Sequence, residues 1–265
     1  MNTKLIRTIA YAFIPFVLVP VSNAQSGHGD VYWHLDPGVK SCSMVIDPSL
    51  TQAQWKTFIQ QVSPIVTFKT LASAEPLGTM NFNVAVEYGH TPVDQHNLAW
   101  INTFTHPNAD CPLGDAIVIP TIRARMGVSD KMDIGVYGTA APEANYGMIG
   151  GEVKYLISRE SESSPAAAVW GSATILTGVS DFDFSTYGVD LVASKKVAMF
   201  TPYVGLRGNV AIGTIATSKV RLDKERVFFA QAYAGATCSV WIVNLAAEYN
   251  ISRVNTFAFA IGFNI

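Results

Sequence analysis

The sequence predicts an all-β fold: a transmembrane, antiparallel, up-and-down β-barrel of about ten strands, with twelve strands as the alternative, and a short N-terminal α-helix. Three observations predict it. Apolar and polar residues alternate with a period of two from about residue 79 to the C-terminus. Charged residues make up only 14 % of a chain with a mean hydropathy of +0.24, yet no apolar run reaches the ~20 residues that a membrane helix needs. The connections between the alternating stretches are long at one side and short at the other.

Composition excludes several other classes of protein. The chain has 265 residues, of which 11 % are aromatic, and this content of rings argues against a disordered protein. Eighteen basic and twenty acidic residues give a net charge of −2, so no positive field attracts nucleic acid. We therefore expect no nucleic-acid partner.

The first 24 residues are predicted to be a cleaved signal peptide. Lys4 and Arg7 precede an apolar stretch from Thr8 to Val21, and Ser22-Asn23-Ala24 places small residues before a cleavage site. Export followed by insertion into the bacterial outer membrane is the expected localisation. Without these residues the chain carries sixteen basic and twenty acidic residues, or −4.

The last strand gives the clearest alternation. The residues predicted to face lipid are Phe257, Phe259, Ile261, Phe263 and Ile265, and those predicted to face inward are Thr256, Ala258, Ala260, Gly262 and Asn264. A soluble sandwich would carry charged residues on its second face. Small and polar residues are instead what a narrow barrel needs inside.

Connection lengths support the same fold. Those at one side are short and are predicted at 129–131, 159–165, 195–196 and about 239–240. Those at the other side are predicted at 90–115, 142–145, 179–183, 213–226 and 250–254. Bacterial barrels pair short periplasmic turns with longer extracellular loops, so both ends of the barrel domain, residues 79–265, are expected on the periplasmic side.

Residues 25–78 follow a different pattern. Two capping pairs, Ser49 with Gln52 and Thr51 with Gln54, precede an apolar helical face, and Pro64 is expected to end a helix at about 51–63. This helix is expected to sit in the lumen as a plug, to lie on the periplasmic rim, or to cover an outer loop. Stretches 39–46 and 65–71 could instead form one more strand pair, which would make twelve strands.

Three cysteines remain after removal of the signal. Cys42 and Cys111 lie in loop-like contexts and are predicted to form a disulfide in the oxidising periplasm, whereas Cys238 is expected to be a lone buried thiol. Because Cys111 belongs to the longest predicted outer loop, this bond would bring Cys42 to the outer end of the barrel.

Eight charged residues fall on predicted inward positions and are the candidate site. They balance at four positive and four negative: Arg123, Arg125, Asp133, Glu152, Lys154, Asp190, Arg207 and Glu248. Two interpretations stay open. Paired charges can simply satisfy one another inside a nearly filled barrel, or they can line a narrow polar path and select solutes by charge.

The longest predicted loop concentrates residues that could bind metal or act in catalysis, namely His90, Asp94, His96, His106, Asp110 and Asp115. Their spacing matches no compact metal motif. We therefore expect no metal, cofactor or catalytic site. Trp100, Trp170 and Trp241 are interpreted as parts of the aromatic belts at the membrane interfaces.

Several strand and turn motifs between about residues 119 and 208 are characteristic. They are Ile134-Gly135-Val136-Tyr137, Ile149-Gly150-Gly151-Glu152-Val153-Lys154-Tyr155, Leu176-Thr177-Gly178-Val179, Tyr187-Gly188-Val189-Asp190-Leu191, Ala193-Ser194-Lys195 and Thr201-Pro202-Tyr203-Val204-Gly205. This third of the chain resembles a group of uncharacterised proteobacterial outer-membrane β-barrel proteins. The resemblance implies location and fold, and brings no catalytic residue with it.

The function expected from the sequence is passage of a small solute through a partly plugged polar lumen. The alternatives are a structural or surface-interaction barrel acting through its outer loops and, behind it, an outer-membrane hydrolase. Expected partners are outer-membrane lipids, the barrel-assembly machinery acting on the C-terminal strand, and a small solute. The sequence leaves the oligomeric state open.

Overall fold

Ten antiparallel strands form a closed barrel in a computed structural model that describes residues 43–94, 96–105, 116–140 and 145–265. β12 pairs with β2, so the sheet has no free edge. The barrel strands are β2 (Phe82–Pro92), β4 (Ala116–Ser129), β5 (Met132–Ala140), β6 (Gly147–Ser158), β7 (Ala166–Thr177), β8 (Phe182–Ser194), β9 (Phe200–Ile215), β10 (Glu225–Val240), β11 (Val243–Ile251) and β12 (Thr256–Asn264).

The predicted fold class and strand number are confirmed, and the twelve-strand alternative is wrong. Residues 65–71 contain no strand, and the described part of 39–46 contributes only the two-residue strand β1 (Ser43–Met44). β1 pairs with β3 (Phe104–Thr105) outside the barrel sheet. β1 is only two residues long, and residues 67–71 lie inside the barrel, where their main chain bonds to wall side chains and not to the main chain of a strand.

Side chains alternate between the two faces of the wall as the period of two predicts. In β12, Phe257 and Ile261 are 48 % and 41 % exposed on the outside, whereas Ala258 and Ala260 are buried inside. The same alternation continues through β8, where Val189 and Leu191 face outward and Asp190 is buried. A pleated strand sends successive side chains to opposite faces, so the local pattern alone determines the facing.

The two ends of the barrel differ. At the first, called the turn end, the connections are 130–131, 159–165, 195–199 and 241–242. At the second, called the loop end, they are 93–115, 141–146, 178–181, 216–224 and 252–255. β2 begins and β12 finishes at the turn end, as the connection lengths predict.

Helix α1 (Gln52–Val66) lies at the loop end and begins with the predicted Thr51–Gln54 capping box. The helix is predicted to end near residue 63, but it continues through Pro64 to Val66. A proline so close to the C-terminus removes one hydrogen bond only. The last carbonyls are capped by the Lys69 ammonium, which donates to the carbonyls of Pro64 at 2.7 Å and Ile65 at 3.3 Å. Among the described residues, no helix is long and apolar enough to cross a membrane.

An apolar cluster fixes α1 over the mouth of the barrel. Phe58 packs edge to face against Trp100, in the short helix α2 (Leu98–Ile101), and against Phe182 at the start of β8. Trp55 contacts Phe182 in the same way. Trp100 is fully buried here, so its assignment to an interfacial belt is wrong; of the three tryptophans so assigned, only Trp241 is exposed.

After α1 the chain passes down the inside of the barrel. Residues 67–78, called the plug segment, run from α1 at the loop end to the turn end. There Thr79 donates to the Asp130 carboxylate at 3.0 Å in the β4–β5 turn. Gly78 lies against Gly127 of β4 and has a φ of +88°. The described part of 25–78 is therefore both a cover and a plug.

Candidate functional site: the plugged lumen

All eight charged residues proposed from the sequence lie inside the barrel, and each is at most 8 % exposed. They come from six strands: β4 carries Arg123 and Arg125, β5 carries Asp133, β6 carries Glu152 and Lys154, β8 carries Asp190, β9 carries Arg207 and β11 carries Glu248. Because the strands pair in sequence order, residues that are far apart along the chain face one common interior.

Two arginine–carboxylate pairs lie beside residues 68–70, near the start of the plug segment. Arg207 donates through Nε and Nη2 to the two oxygens of Asp190, both at 2.5 Å. Arg123 Nε lies 2.8 Å from Glu87 Oε1, and its Nη2 donates to Glu87 Oε2 at 3.0 Å. Such two-point contacts fix the orientation of both side chains and also pair their opposite charges.

The charged residues beside the later part of the plug segment make more varied contacts. Lys154 Nζ lies 2.8 Å from Asp133 Oδ2. Glu152 accepts a hydrogen bond from the indole of Trp170 at 2.7 Å, and Arg125 donates to the side-chain oxygen of Asn83 at 2.8 Å. Trp170 is buried inside the lumen, so its predicted place in an outer aromatic belt is also wrong.

Much of the polar contact between wall and plug is made to the main chain of the plug. Arg207 donates to the carbonyl of Phe68, and Arg123 donates to the carbonyls of Lys69 at 2.5 Å and Thr70 at 3.0 Å. Glu248 then accepts from the main-chain N–H of Leu71 at 2.9 Å.

The same arrangement continues toward the turn end. Lys154 donates to the carbonyl of Glu75 at 2.7 Å, and Ser194 accepts from the N–H of Ala74 at 3.0 Å. Asp133 accepts from the N–H of Leu77 at 3.0 and 3.1 Å. The wall charges therefore satisfy buried main-chain groups that no sheet or helix satisfies.

One side chain of the plug occupies a pocket of its own. The ring of Phe68 lies 5.4 Å from Tyr137 and 5.7 Å from Trp170, measured between ring centroids. The guanidinium groups of Arg123 and Arg207 lie 4.5 Å and 5.2 Å from the same ring, which is cation–π distance. We call this group of wall residues the aromatic subsite.

Little free space remains around the plug. A cavity of about 30 Å³ lies beside it, lined by Lys69, Glu87 and Arg123 together with threonines of β2, β4 and β12. One probe-sized water occupies roughly 10–15 Å³ on this scale, so the cavity has room for about two water molecules. Among the described residues, this cavity beside the plug is too small to hold a solute larger than water.

Two charged residues of this interior were not among the eight candidates. Glu87 lies on a predicted inward position of β2, so its alternation could have identified it. Lys69 belongs to the plug and points back to its own helix, and no period in the sequence indicates that. With both included, the interior carries five cations and five anions: Lys69, Arg123, Arg125, Lys154, Arg207, Glu87, Asp133, Glu152, Asp190 and Glu248.

The other candidates do not converge. His96 is exposed, and its main-chain N–H donates to the Asp94 side chain at 3.0 Å, while His90 lies in β2. Within the part of the chain that the structure describes, no group of three or more His, Cys, Asp or Glu residues could hold a metal ion. His106, Asp110 and Asp115, and the predicted disulfide partners Cys42 and Cys111, lie outside the described residues. Cys238 is a free thiol and only half-buried, so its prediction as a buried residue is wrong.

No family model matches the chain, and no curated protein matches it significantly. Solved structures similar to it are outer-membrane proteins. An outer membrane channel from Pseudomonas putida F1 has a TM-score of 0.45 and 12 % identity, covering 72 % of this chain and 98 % of the other.

The attachment invasion locus protein Ail of Yersinia pestis has a TM-score of 0.33 and 11 % identity, covering 71 % of this chain and 99 % of the other. The outer membrane protein OprG from Pseudomonas aeruginosa has a TM-score of 0.32 and 9 % identity, covering 73 % of this chain and 99 % of the other. These TM-scores are too low for the similar structures to indicate the function of this chain.

Proposed function

We propose that this protein is an outer-membrane β-barrel that admits small polar solutes when its plug segment leaves the lumen. The outer surface supports the location. Exposed aliphatic side chains such as Val136, Val189 and Leu206 form its middle, at 62 %, 61 % and 67 % exposure. Aromatic residues stand nearer the two ends, with Tyr88, Tyr187, Phe228, Tyr249 and Phe257 toward the loop end and Tyr155, Phe200 and Trp241 toward the turn end. An apolar band between two aromatic girdles suits a lipid bilayer.

The orientation follows from the connections. Barrels of the outer membrane place short turns in the periplasm and longer loops outside. The turn end is accordingly assigned to the periplasm, and α1 covers the extracellular mouth. The barrel-assembly machinery would act on β12, and Ile265, which follows this strand, is 79 % exposed at the turn end.

The observation that supports the passage of solutes is the set of charged side chains on the inner wall of the barrel. Four cations and five anions of the barrel strands face the lumen. Buried ion pairs are weak devices for stability, because hydrophobic replacements of similar volume are often as good or better. Neutral side chains such as Ser194 also bind the main chain of the plug, so holding the plug does not by itself require charged groups. Once the plug leaves, the same side chains would be hydrated and would line a polar path.

A reversible lock tests this function. Ser194 Oγ lies 3.0 Å from the main-chain nitrogen of Ala74, so the double variant Ala74→Cys/Ser194→Cys is designed to join plug and wall by a disulfide, whose formation is checked by thiol titration. In planar bilayers, the native protein should show intermittent conductance. The oxidised double variant should lose it and regain it with a reductant.

The two single variants are the matched controls and should conduct under both conditions. If the native protein and the reduced double variant show no conductance at any voltage, the proposed passage of solutes is wrong. The same holds if the oxidised lock leaves the current unchanged.

The second candidate function is interaction at the cell surface through the loop end. Helix α2 buries Trp100 but exposes Leu98 and Ile101 by 56 % and 42 % on the far side of the cover. Apolar side chains exposed beyond the membrane band are typical of contact surfaces. If this surface binds neighbouring cells, Leu98→Ser/Ile101→Ser should reduce aggregation of cells that carry the protein and leave conductance unchanged. Equal aggregation would remove this candidate.

A further inference from the structure

The emptied lumen, we infer, is a binding site for an extended peptide with an aromatic side chain, and the plug segment is its built-in occupant. This inference rests on the proposed release of the plug. It goes further because it names the class of solute that the lumen would accept.

Recognition of the main chain is the first argument. Along the plug the wall offers donors to the carbonyls of residues 68, 69 and 70, an acceptor to the N–H of residue 71, an acceptor to the N–H of residue 74 and a donor to the carbonyl of residue 75. The N–H of residue 77 meets an acceptor again. Carbonyl and N–H groups are common to every peptide, so these contacts do not depend on the particular side chains of the plug.

The aromatic subsite is the second argument. It surrounds one side chain, that of Phe68, with two rings and two guanidinium groups. These groups are held in place by their own partners: Arg207 by Asp190, Arg123 by Glu87, and Tyr137 by the hydroxyl of Thr174 at 2.6 Å. The subsite therefore belongs to the wall, and it would persist when Phe68 leaves.

Charge balance is the third argument. A wall with one sign of charge would favour ions of the other sign, whereas here cations and anions alternate along the path. Arg125 hydrogen-bonds the neutral side chain of Asn83 and suits a peptide carboxylate, and Glu248, which forms no ion pair among the described residues, suits an amino group. A zwitterionic peptide matches both, whereas a neutral sugar matches neither.

The test uses the full chain with its plug released. Leu71 has a φ of +43°, and its N–H is bound by Glu248. Leu71→Pro removes this N–H and cannot adopt a positive φ, so it should expel the plug without changing the wall. Leu71→Gly keeps the N–H, tolerates the positive φ and is the matched control that should stay plugged.

The probe is the peptide TFKTLASAEPL, the sequence of residues 67–77, added to the Leu71→Pro variant. It should block the current and, when labelled, bind the detergent-solubilised barrel. The same peptide with alanine in place of phenylalanine should bind roughly tenfold more weakly, because a ring between two guanidinium groups contributes on the order of 1–2 kcal/mol. Maltotriose should not block.

Three outcomes distinguish the proposed peptide site from the proposed passage of solutes. Conductance that peptide and maltotriose block equally, or peptide binding that is unaffected by loss of its phenylalanine, would overturn the peptide site and leave passage intact. Binding of the peptide without any conductance would overturn passage and support the site. If Leu71→Pro fails to fold, as judged by heat-modifiable migration on gels, the native protein takes its place, and the peptide should shorten its conducting intervals whereas maltotriose should not.

Discussion

Asp190 and Arg207 lie directly opposite each other on β8 and β9, and their side chains join through two hydrogen bonds of 2.5 Å inside the barrel. Each residue also contacts the plug, because Thr70 donates to Asp190 at 3.2 Å and accepts from Arg207 at 2.7 Å. This pair connects the wall, the plug and the aromatic subsite, and its removal is the sharpest perturbation of the interior.

We predict that Asp190→Ala lowers the free energy of unfolding by about 3–5 kcal/mol, because it leaves the Arg207 guanidinium buried without its counter-charge. Urea unfolding in lipid vesicles, followed by tryptophan fluorescence, measures the change. The control is Glu75→Ala, which removes a pair 3.8 Å long whose Arg159 side chain is 57 % exposed, together with one hydrogen bond from the amide of Glu160 at 2.8 Å. Exposed pairs contribute about 0–1 kcal/mol, so equal losses in the two variants would contradict this account.

Glycines inside the barrel make room for tyrosine rings. A Cβ added at Gly205 of β9 would lie 2.3 Å from the ring of Tyr233, whereas one added at Gly208 of the same strand would meet no atom within 4 Å. We expect Gly205→Ala to cost about 1–3 kcal/mol, because the ring cannot move without disturbing its neighbours. Gly208→Ala should leave the unfolding midpoint nearly unchanged. A larger loss of stability in Gly208→Ala than in Gly205→Ala would show that the Tyr233 ring is free to move.

Position relative to the bilayer should decide the effect of a charge on the outer surface. Leu206 and Met80 have nearly the same exposure, 67 % and 69 %, but Leu206 lies midway along β9 and Met80 lies at the turn end before β2. Leu206→Arg should cost about 2–4 kcal/mol in lipid vesicles, and Met80→Arg about 0–1 kcal/mol. Folding into vesicles, measured by heat-modifiable migration, gives both values. Equal costs would argue against a membrane band at this height.

Acid should loosen the cover at the loop end through Asp181. Burial raises the pKa of this carboxyl, but Lys219 at 2.8 Å and the main-chain N–H of Ile46 at 2.9 Å outweigh burial and lower the pKa below its ordinary 3.8. The stabilisation is therefore complete above pH 3.8 and is lost as the pH falls through the lowered pKa.

Hydrogen exchange at the amide of Ile46 measures this effect as a protection factor. It should fall below about pH 3.8, whereas the amide of Leu50, bound to the main-chain carbonyl of Asp47, should keep its protection. In Asp181→Ala, which has no side-chain acceptor, the protection of Ile46 should be low already at neutral pH and should no longer depend on acid. Unchanged protection in this variant would mean that other contacts hold the segment.

The wall of the barrel could be predicted because its determinants are local. Alternation places Phe257 outside and Ala258 inside whatever the neighbouring strand is, and the same rule placed Asp190, Arg207 and the other candidate charges on the inner face. The helix start was predictable for the same reason, since Thr51 and Gln54 cap it within one turn.

The contents of the barrel could not be predicted, because they depend on which segments meet after closure. Arg123 and the carbonyl of Thr70 are separated by 53 residues, and Glu248 and the N–H of Leu71 by 177. No period links such groups. For the same reason Trp170 looks like a membrane anchor in the sequence and is a lining of the aromatic subsite in the structure.

The sequence by itself therefore determined a wall with apolar side chains outside and charges inside, since the facing of a strand residue depends only on its place in the pleat. Only the tertiary structure decided that residues 67–78 fill this wall and that its charges bind their main chain. Buried carbonyl and N–H groups take whichever partners the folded chain brings within reach.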